Sequence, residues 1–224
     1  KDNILTGGCD VYEYDMKHNV GYKSINNKKV TTNAFYLQDI WNIDKHWNLT
    51  PGIRIDHHSD FGDHTTPAIT LGYKQSRNTN YYLSFKKFFV APDMYQLYAP
   101  GFGNPDLKPA EGQTWELGVN HTFTPTFTGS FDIYKQHANN MVLWSDNAYE
   151  NVGKSDSHGF SIRLNKAISK HLHANAGYTY TYVNRASSEK NSSYNGFLPK
   201  NTINLSIDYS NAKTDAYISG TGML

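Results

Sequence analysis

The densest group of side chains able to do chemistry runs Asp56-His57-His58-Ser59-Asp60-Phe61-Gly62-Asp63-His64, three histidines and three aspartates in nine residues. Neutral imidazole is a good ligand for iron, zinc or haem iron, which makes His57, His58 and His64 the candidate metal ligands. Their spacing argues against one shared ion. If a strand continues through Asp56, adjacent His57 and His58 point to opposite sides, so only one of them joins His64 without a turn. The competing reading is a solvated polar loop. The single cysteine, Cys9, can form neither an internal disulfide nor a Cys-based zinc site. Serines, histidines and acids are common, yet none stands in a nucleophile-elbow or HExxH context, and Gly101-Phe102-Gly103 does not lead a strand into a helix. The expectation is a protein that is not an enzyme and carries no cofactor.

Other residues suit binding rather than catalysis. Trp144, Tyr149, Tyr194 and Phe197 offer flat faces that fit catecholate or corrin-like ligands, and Tyr95, Tyr98 and Phe102 are candidates of the same kind. Arg54, Lys86 and Arg163 could attract an anionic chelate. The competing readings are packing within loops or an interfacial aromatic belt for the rings, and hydrogen bonding to water for the cations. With 21 Lys+Arg against 20 Asp+Glu the net charge is +1, so no nucleic-acid partner is expected.

The elements that must carry these residues are strands. From Leu172, the residues Leu172, Ala174, Ala176, Tyr178, Tyr180 and Tyr182 share one face, while His173, Asn175, Gly177, Thr179 and Thr181 share the other. Ile203, Leu205, Ile207 and Tyr209 alternate in the same way, as do Trp115, Leu117 and Val119, and Phe160, Ile162 and Leu164. The opposite, polar face carries Arg54, Asp56, Lys74, Lys86, Glu116, Asp132, Arg163 and Asp208. The pattern predicts an all-β antiparallel meander of about eleven strands and no helix. No run of 18 apolar residues exists, which excludes a membrane-spanning helix but not a spanning barrel, whose lumen-facing half is polar.

Connections alternate strictly between long (15–32, 57–66, 90–112, 137–156, 184–199) and short (44–46, 76–79, 124–126, 168–171, 211–213). Short turns on one rim and long loops on the other characterise an outer-membrane barrel; a soluble sandwich has no reason to sort its loops by length. Single-chain bacterial barrels have even strand numbers, and Gly220-Thr221-Gly222-Met223-Leu224 reads as an unfinished strand. The 224 residues are therefore expected to be an internal half of a barrel of about 22 strands, which needs on the order of 450–550 residues.

A longer stretch carries a family resemblance. From Phe89 to Val119 the chain reads Phe-Val-Ala-Pro-Asp-Met-Tyr-Gln-Leu-Tyr-Ala-Pro-Gly-Phe-Gly-Asn-Pro-Asp-Leu-Lys-Pro-Ala-Glu-Gly-Gln-Thr-Trp-Glu-Leu-Gly-Val. This resembles the TonB-dependent outer-membrane receptors, in which an aromatic-x-Ala-Pro-x-x-x-x-Leu-Tyr stretch leads to Asn-Pro-x-Leu-x-Pro-Glu and a Glu-Leu-Gly strand. Phe35-Tyr-Leu-Gln-Asp-Ile-Trp41, Pro51-Gly-Ile-Arg-Ile-Asp56, Tyr149-Glu-Asn-Val-Gly153, Tyr178-Thr-Tyr180 and Leu198-Pro-Lys-Asn201 are similar to the same family in order and spacing. Pro109-Ala110-Glu111 departs by one residue from its Pro-Glu.

The resemblance implies residence in the bacterial outer membrane, contact with its lipid, and uptake of a scarce metal chelate. A ferric siderophore comes first, with cobalamin or haem after it. Some haem receptors of the family carry a histidine between the Ala-Pro and Asn-Pro motifs; Asp93 to Gly103 holds none. The family also implies a plug domain, final strands and coupling to the TonB complex through the plug, all expected to lie outside these residues. A passive porin or structural barrel is the competing class, and a soluble carbohydrate-binding β-domain a third.

Overall fold

The structure, a computed structural model, describes residues 3–20, 23–145, 147–186 and 199–223. Among the described residues eleven strands lie in one antiparallel sheet in chain order, each bonded to its sequence neighbours. They are β1 Asn3–Val20, β2 Lys23–Asn42, β3 Trp47–His58, β4 Gly62–Lys74, β5 Thr79–Val90, β6 Ala110–Thr124, β7 Phe127–Ser145, β8 Ala148–Ala167, β9 Leu172–Ala186, β10 Asn201–Ser210 and β11 Asp215–Met223. Among the described residues β1 and β11 do not pair, so the sheet is an open strip.

Register turns the sequence alternation into two continuous faces. Trp41, Leu49, Leu71, Leu83, Leu117, Ile133, Phe160 and Tyr180 stand opposite one another on successive strands from β2 to β9. A second row runs Val119, Phe131, Ile162, Tyr178 and Ile203. Leu83, Leu117, Ile133 and Leu205 remain 42%, 48%, 44% and 57% exposed. In water so wide an apolar surface would aggregate; against hydrocarbon it is the stable arrangement. Near the short-turn rim the band ends in rings, with Trp47 and Tyr73 centroids 4.5 Å apart and Tyr73 and Tyr81 6.5 Å apart, as at a membrane interface. Asp39 breaks the apolar row and accepts the indole N–H of Trp41.

The other face is polar and internally bonded. Arg163 donates to Asp132 at 2.5 Å, Asn175 to Asp208 at 2.9 Å, and the Tyr82 hydroxyl to Glu116 at 2.6 Å. Asp56, Thr114, Asp132 and Ser161 are buried here while the leucines opposite are exposed, an inversion of a soluble protein. The Tyr82 ring lies flat on Gly118, where an added Cβ would come within 2.4 Å of it, so the glycine is what lets the ring cover the ladder.

The short turns are fixed locally. Asp44 Oδ1 accepts from the backbone N–H groups of His46 at 2.6 Å and Trp47 at 2.8 Å, and these bonds, the His46 one foremost, pull its carboxyl below the ordinary value.

Three expectations need correction. The long connections at 15–32 and 137–156 are mostly not loops: β1–β2 and β7–β8 continue as paired ribbons, because backbone pairing persists after the membrane-facing alternation ends. At 57–66, β3 reaches His58 and β4 begins at Gly62. A short helix, α1 Met94–Tyr98, also forms where none was expected.

Face assignment has a direct check. A nitroxide at position 180 should meet a lipid-soluble relaxation agent and one at 181 should not; equal access would contradict the assignment. Leu117→Arg should cost about 2–4 kcal/mol of folding free energy in bilayers, read from denaturant titration.

Candidate functional site

The rim opposite the short turns is built around α1. Asp93 accepts from the Gln96 N–H at 2.7 Å while the Gln96 side chain accepts from the Asp93 N–H at 3.0 Å, a closed capping box. After α1, the Gly103 N–H reaches Ala99 O at 2.8 Å and the Asn104 N–H reaches Gln96 O at 2.8 Å. A Cβ on Gly103 would strike the Ala99 backbone at 2.4 Å, so this fold-back requires glycine. Leu97, Ala99 and Leu107 fill the space beneath and are almost wholly buried.

Two asparagines tie this segment to the β7–β8 ribbon. Asn104 Nδ2 donates to Tyr149 O at 2.9 Å. Asn151 accepts from the Lys108 N–H at 2.7 Å and donates to Lys108 O at 2.8 Å and Asn140 O at 2.7 Å. Asn140 stands at φ 56, a left-handed backbone that asparagine tolerates.

The candidate aromatics gather on this frame. Tyr95 and Phe102 centroids are 5.5 Å apart, Phe102 and Trp144 5.5 Å, Trp144 and Tyr149 5.0 Å, and Tyr95 and Tyr149 6.4 Å. Each edge-on contact adds to area burial, so the four rings also brace one another. Tyr98 stands apart. Its hydroxyl donates to Asp60 at 3.1 Å and Lys28 Nζ lies 4.4 Å above its ring. Burial first, then the Asp60 charge, raises the Tyr98 phenol above its ordinary value, which keeps it a donor at neutral pH. Tyr194 and Phe197 lie outside the described residues.

The three candidate metal ligands do not converge. His57 Nδ1 is 2.6 Å from Asp63, and His64 Nδ1 is 2.9 Å from Glu111 with its ring stacked on Phe89 at 3.7 Å. His58 is buried against Phe61, with centroids 4.9 Å apart. No group of three metal-binding side chains exists among the described residues. Each imidazole is held by a different neighbour, so the described geometry brings the three candidates to no common point.

Between the β1–β2 ribbon and α1 opens a cavity of about 940 Å³. Tyr12, Tyr14, Met16 and Val30 line one side, Phe88, Pro92, Met94 and Tyr95 the other, and Arg54, Asp56 and His58 the base. Register puts Tyr12 and Tyr14 on the same polar face as Asp10. Of the sequence candidates, Tyr95, Arg54 and His58 line this space, whereas Lys86, Tyr98, Phe102, Trp144, Tyr149, His57 and His64 do not. Sequence reading missed Tyr12, Tyr14 and Met16. The i, i+2 spacing of the tyrosines was the available signal.

An antiparallel strip with a continuous apolar belt on one face and a hydrogen-bonded polar face on the other has the build of a membrane β-barrel wall. Residues 7–222 match the family model described as TonB dependent receptor-like, beta-barrel. The chain belongs to that family, whose barrels are receptors and transporters of the outer membrane. It is 31% identical over 133 residues to the vitamin B12 transporter BtuB of Vibrio cholerae serotype O1, covering 56% of this chain and 21% of that one. It is 26% identical over 145 residues to the ferric-pyoverdine BN7/BN8 receptor of Pseudomonas putida, covering 64% and 17%. The siderophore receptor PirA from Pseudomonas aeruginosa superposes at a TM-score of 0.74 with 19% identity, over 98% of this chain and 42% of that one. The copper transporter OprC gives 0.72 with 12% identity, over 95% and 40%. The alignments thus span about a fifth of the curated relatives.

Bracing can be measured separately from binding. Asn151→Ala should speed hydrogen exchange at the Lys108 amide and cost about 1–3 kcal/mol locally, since it removes one partner from three bonds. Unchanged exchange would mean that these bonds do not hold the segment.

Proposed function

We propose that this chain forms part of the barrel of an outer-membrane receptor that captures a bulky metal chelate at its outer rim and takes it up with TonB-coupled energy. The observation that carries the reading is the recess between the β1–β2 ribbon and α1, whose volume of about 940 Å³ suits a ligand of chelate size. Its rings stand on rigid elements, which limits the entropy lost when a flat ligand stacks on them. Family membership adds the direction, because the relatives' names span vitamin B12 transport and ferric-pyoverdine reception. A ferric siderophore fits this reading, as do a corrinoid and haem.

The plug, the closing strands and the TonB contact belong, in this reading, to the remainder of the receptor. The apolar belt meets membrane lipid, while Arg163, Asp132, Glu116 and Tyr82 face the path inward and hydrogen-bond the plug and water. A passive pore would share the belt but has no need of a braced aromatic recess.

The test uses the full-length receptor containing this segment. Chelate uptake by cells should cease when TonB is removed, and replacing Tyr12 and Tyr14 with Ala should weaken chelate binding by about 1–3 kcal/mol, the usual range for aromatic anchors. Uptake that persists without TonB would favour the passive pore. Unaltered affinity in the double variant would move the binding site away from this recess.

A further inference from the structure

We propose that the short-turn rim binds the headgroups of anionic phospholipids in the leaflet it enters. The inference goes beyond the uptake reading and does not depend on the recess. Short turns face the periplasm in outer-membrane barrels, and the leaflet on that side is built of phospholipid. Six exposed cations collect at this rim, Lys45, Lys74, Arg77, Lys166, Lys170 and Lys213, against the carboxylates of Asp44 and Asp215. Asp39 and Asp208, set further up their strands, are bonded to Trp41 and Asn175. Among the described residues none of the six cations is in an ion pair.

The turns repeat one design. Ile43-Asp44-Lys45-His46-Trp47 and Ile168-Ser169-Lys170-His171-Leu172 match position by position. In each, the second side chain accepts the histidine N–H, Asp44 from His46 at 2.6 Å and Ser169 from His171 at 3.2 Å. The histidine Nδ1 then donates to a carbonyl of the neighbouring hairpin, His46 to Lys74 O at 2.8 Å and His171 to Ser210 O at 2.9 Å. Each imidazole also lies 6.3 Å from a tyrosine ring, Tyr73 or Tyr209. The neighbouring turns are capped in the same way, with Ser76 accepting from the Asn78 N–H at 3.1 Å and Asn211 from the Lys213 N–H at 2.8 Å. Each turn thus spends its acceptors on itself and presents its cation to the outside: Lys45, Arg77, Lys170 or Lys213. Adjacent turns stand two strand spacings apart, about 10 Å, so each histidine clasp lets two long cationic side chains approach one headgroup.

Depth favours a lipid over a soluble acidic partner. The rings of Trp47, Tyr73 and Tyr81 mark the edge of the apolar band here, and the turns rise only a few residues beyond it. Lys166 shows where that edge draws a charge. Register sets it with Phe127 and Ala174 on the apolar face, yet its Nζ lies 5.7 Å from the Phe127 ring and donates to Thr126 Oγ1 at 3.1 Å, in the turn. The stem stays along apolar surface while the ammonium bends to the polar layer. A cation at this depth is drawn to an anionic surface by roughly fivefold, an effect that fades within a Debye length of about 10 Å. A zwitterionic headgroup carries its own ammonium and offers no such net attraction.

The experiment places the full-length receptor in nanodiscs of equimolar phosphatidylglycerol and phosphatidylethanolamine and reads the lipids that stay bound by native mass spectrometry. Phosphatidylglycerol should be retained over phosphatidylethanolamine by at least about fivefold at low salt, and by less in nanodiscs assembled at high salt. Changing Lys45→Gln, Arg77→Gln, Lys170→Gln and Lys213→Gln together should remove the enrichment. Each pair alone, Lys45→Gln with Arg77→Gln or Lys170→Gln with Lys213→Gln, should remove part of it, which keeps the test open if the fourfold variant does not fold. Lys108→Gln with Lys154→Gln, on the opposite rim, should leave it unchanged. Equal retention of the two lipids by the unaltered receptor would overturn the inference and turn these cations toward a soluble acidic partner. Enrichment that survives in the folded fourfold variant, or in both pair variants at full strength, would overturn it as well. The uptake reading stands in either case.

Discussion

Everything in this chain follows from the requirement that each backbone N–H and C=O find a partner within the sheet when one side faces hydrocarbon. Water cannot serve that face, so eleven strands pair with sequence neighbours and leave no irregular backbone across the band. Period-2 geometry then divides the side chains, with Asp39, Lys135 and His158 the polar interruptions of the apolar face. Leu83 and Leu117 go outward, while Ser84 and Glu116 go inward. A one-residue slip would exchange the faces of a whole strand, so the apolar band fixes register as well as location. Inside, freed from lipid, acids and bases bond one another, and tyrosines lie over glycines.

That division sets what the outer end can do. Once the strands rise above the band, neither face is forced to be apolar, and the ribbons can present rings and charges to a ligand. The recess arises where β1–β2 meets α1, and α1 is held by its capping box and by Asn104 and Asn151 bonding toward the β7–β8 ribbon. A site assembled in this way is stiff because its supports are strands and reciprocal side-chain bonds rather than a long free loop. Phe102, Trp144 and Tyr149 brace one another and Tyr95, and of these four rings Tyr95 alone lines the recess.

The strands were legible from sequence because lipid on one side makes the alternation strict; Leu172 to Tyr182 is the clearest case. The ribbons beyond the band were not legible as strands. Around Tyr12-Glu13-Tyr14-Asp15 and Lys28-Lys29 both faces are wet, so periodicity carries no burial signal although pairing continues. α1 had its signature in Asp93-Met94-Tyr95-Gln96, but a single turn is too short for a 3.6-residue period to register. Within the site, Tyr95 and Arg54 were readable by type. The neutralisation of Arg54 by Asp10, 44 residues away, was not, since only the β1–β2–β3 register brings them together. The histidines failed as a cluster for a similar reason: Glu111, on another strand, takes His64 away.

The central claim is that the chelate lodges between the β1–β2 ribbon and α1. Hydrogen–deuterium exchange on the full-length receptor in nanodiscs, with and without bound chelate, tests it most directly. The account predicts ligand-dependent protection at residues 12–16 and 91–98, with none at the turns 43–46 and 75–78. Protection confined to other loops, with 12–16 and 91–98 unchanged, would contradict it.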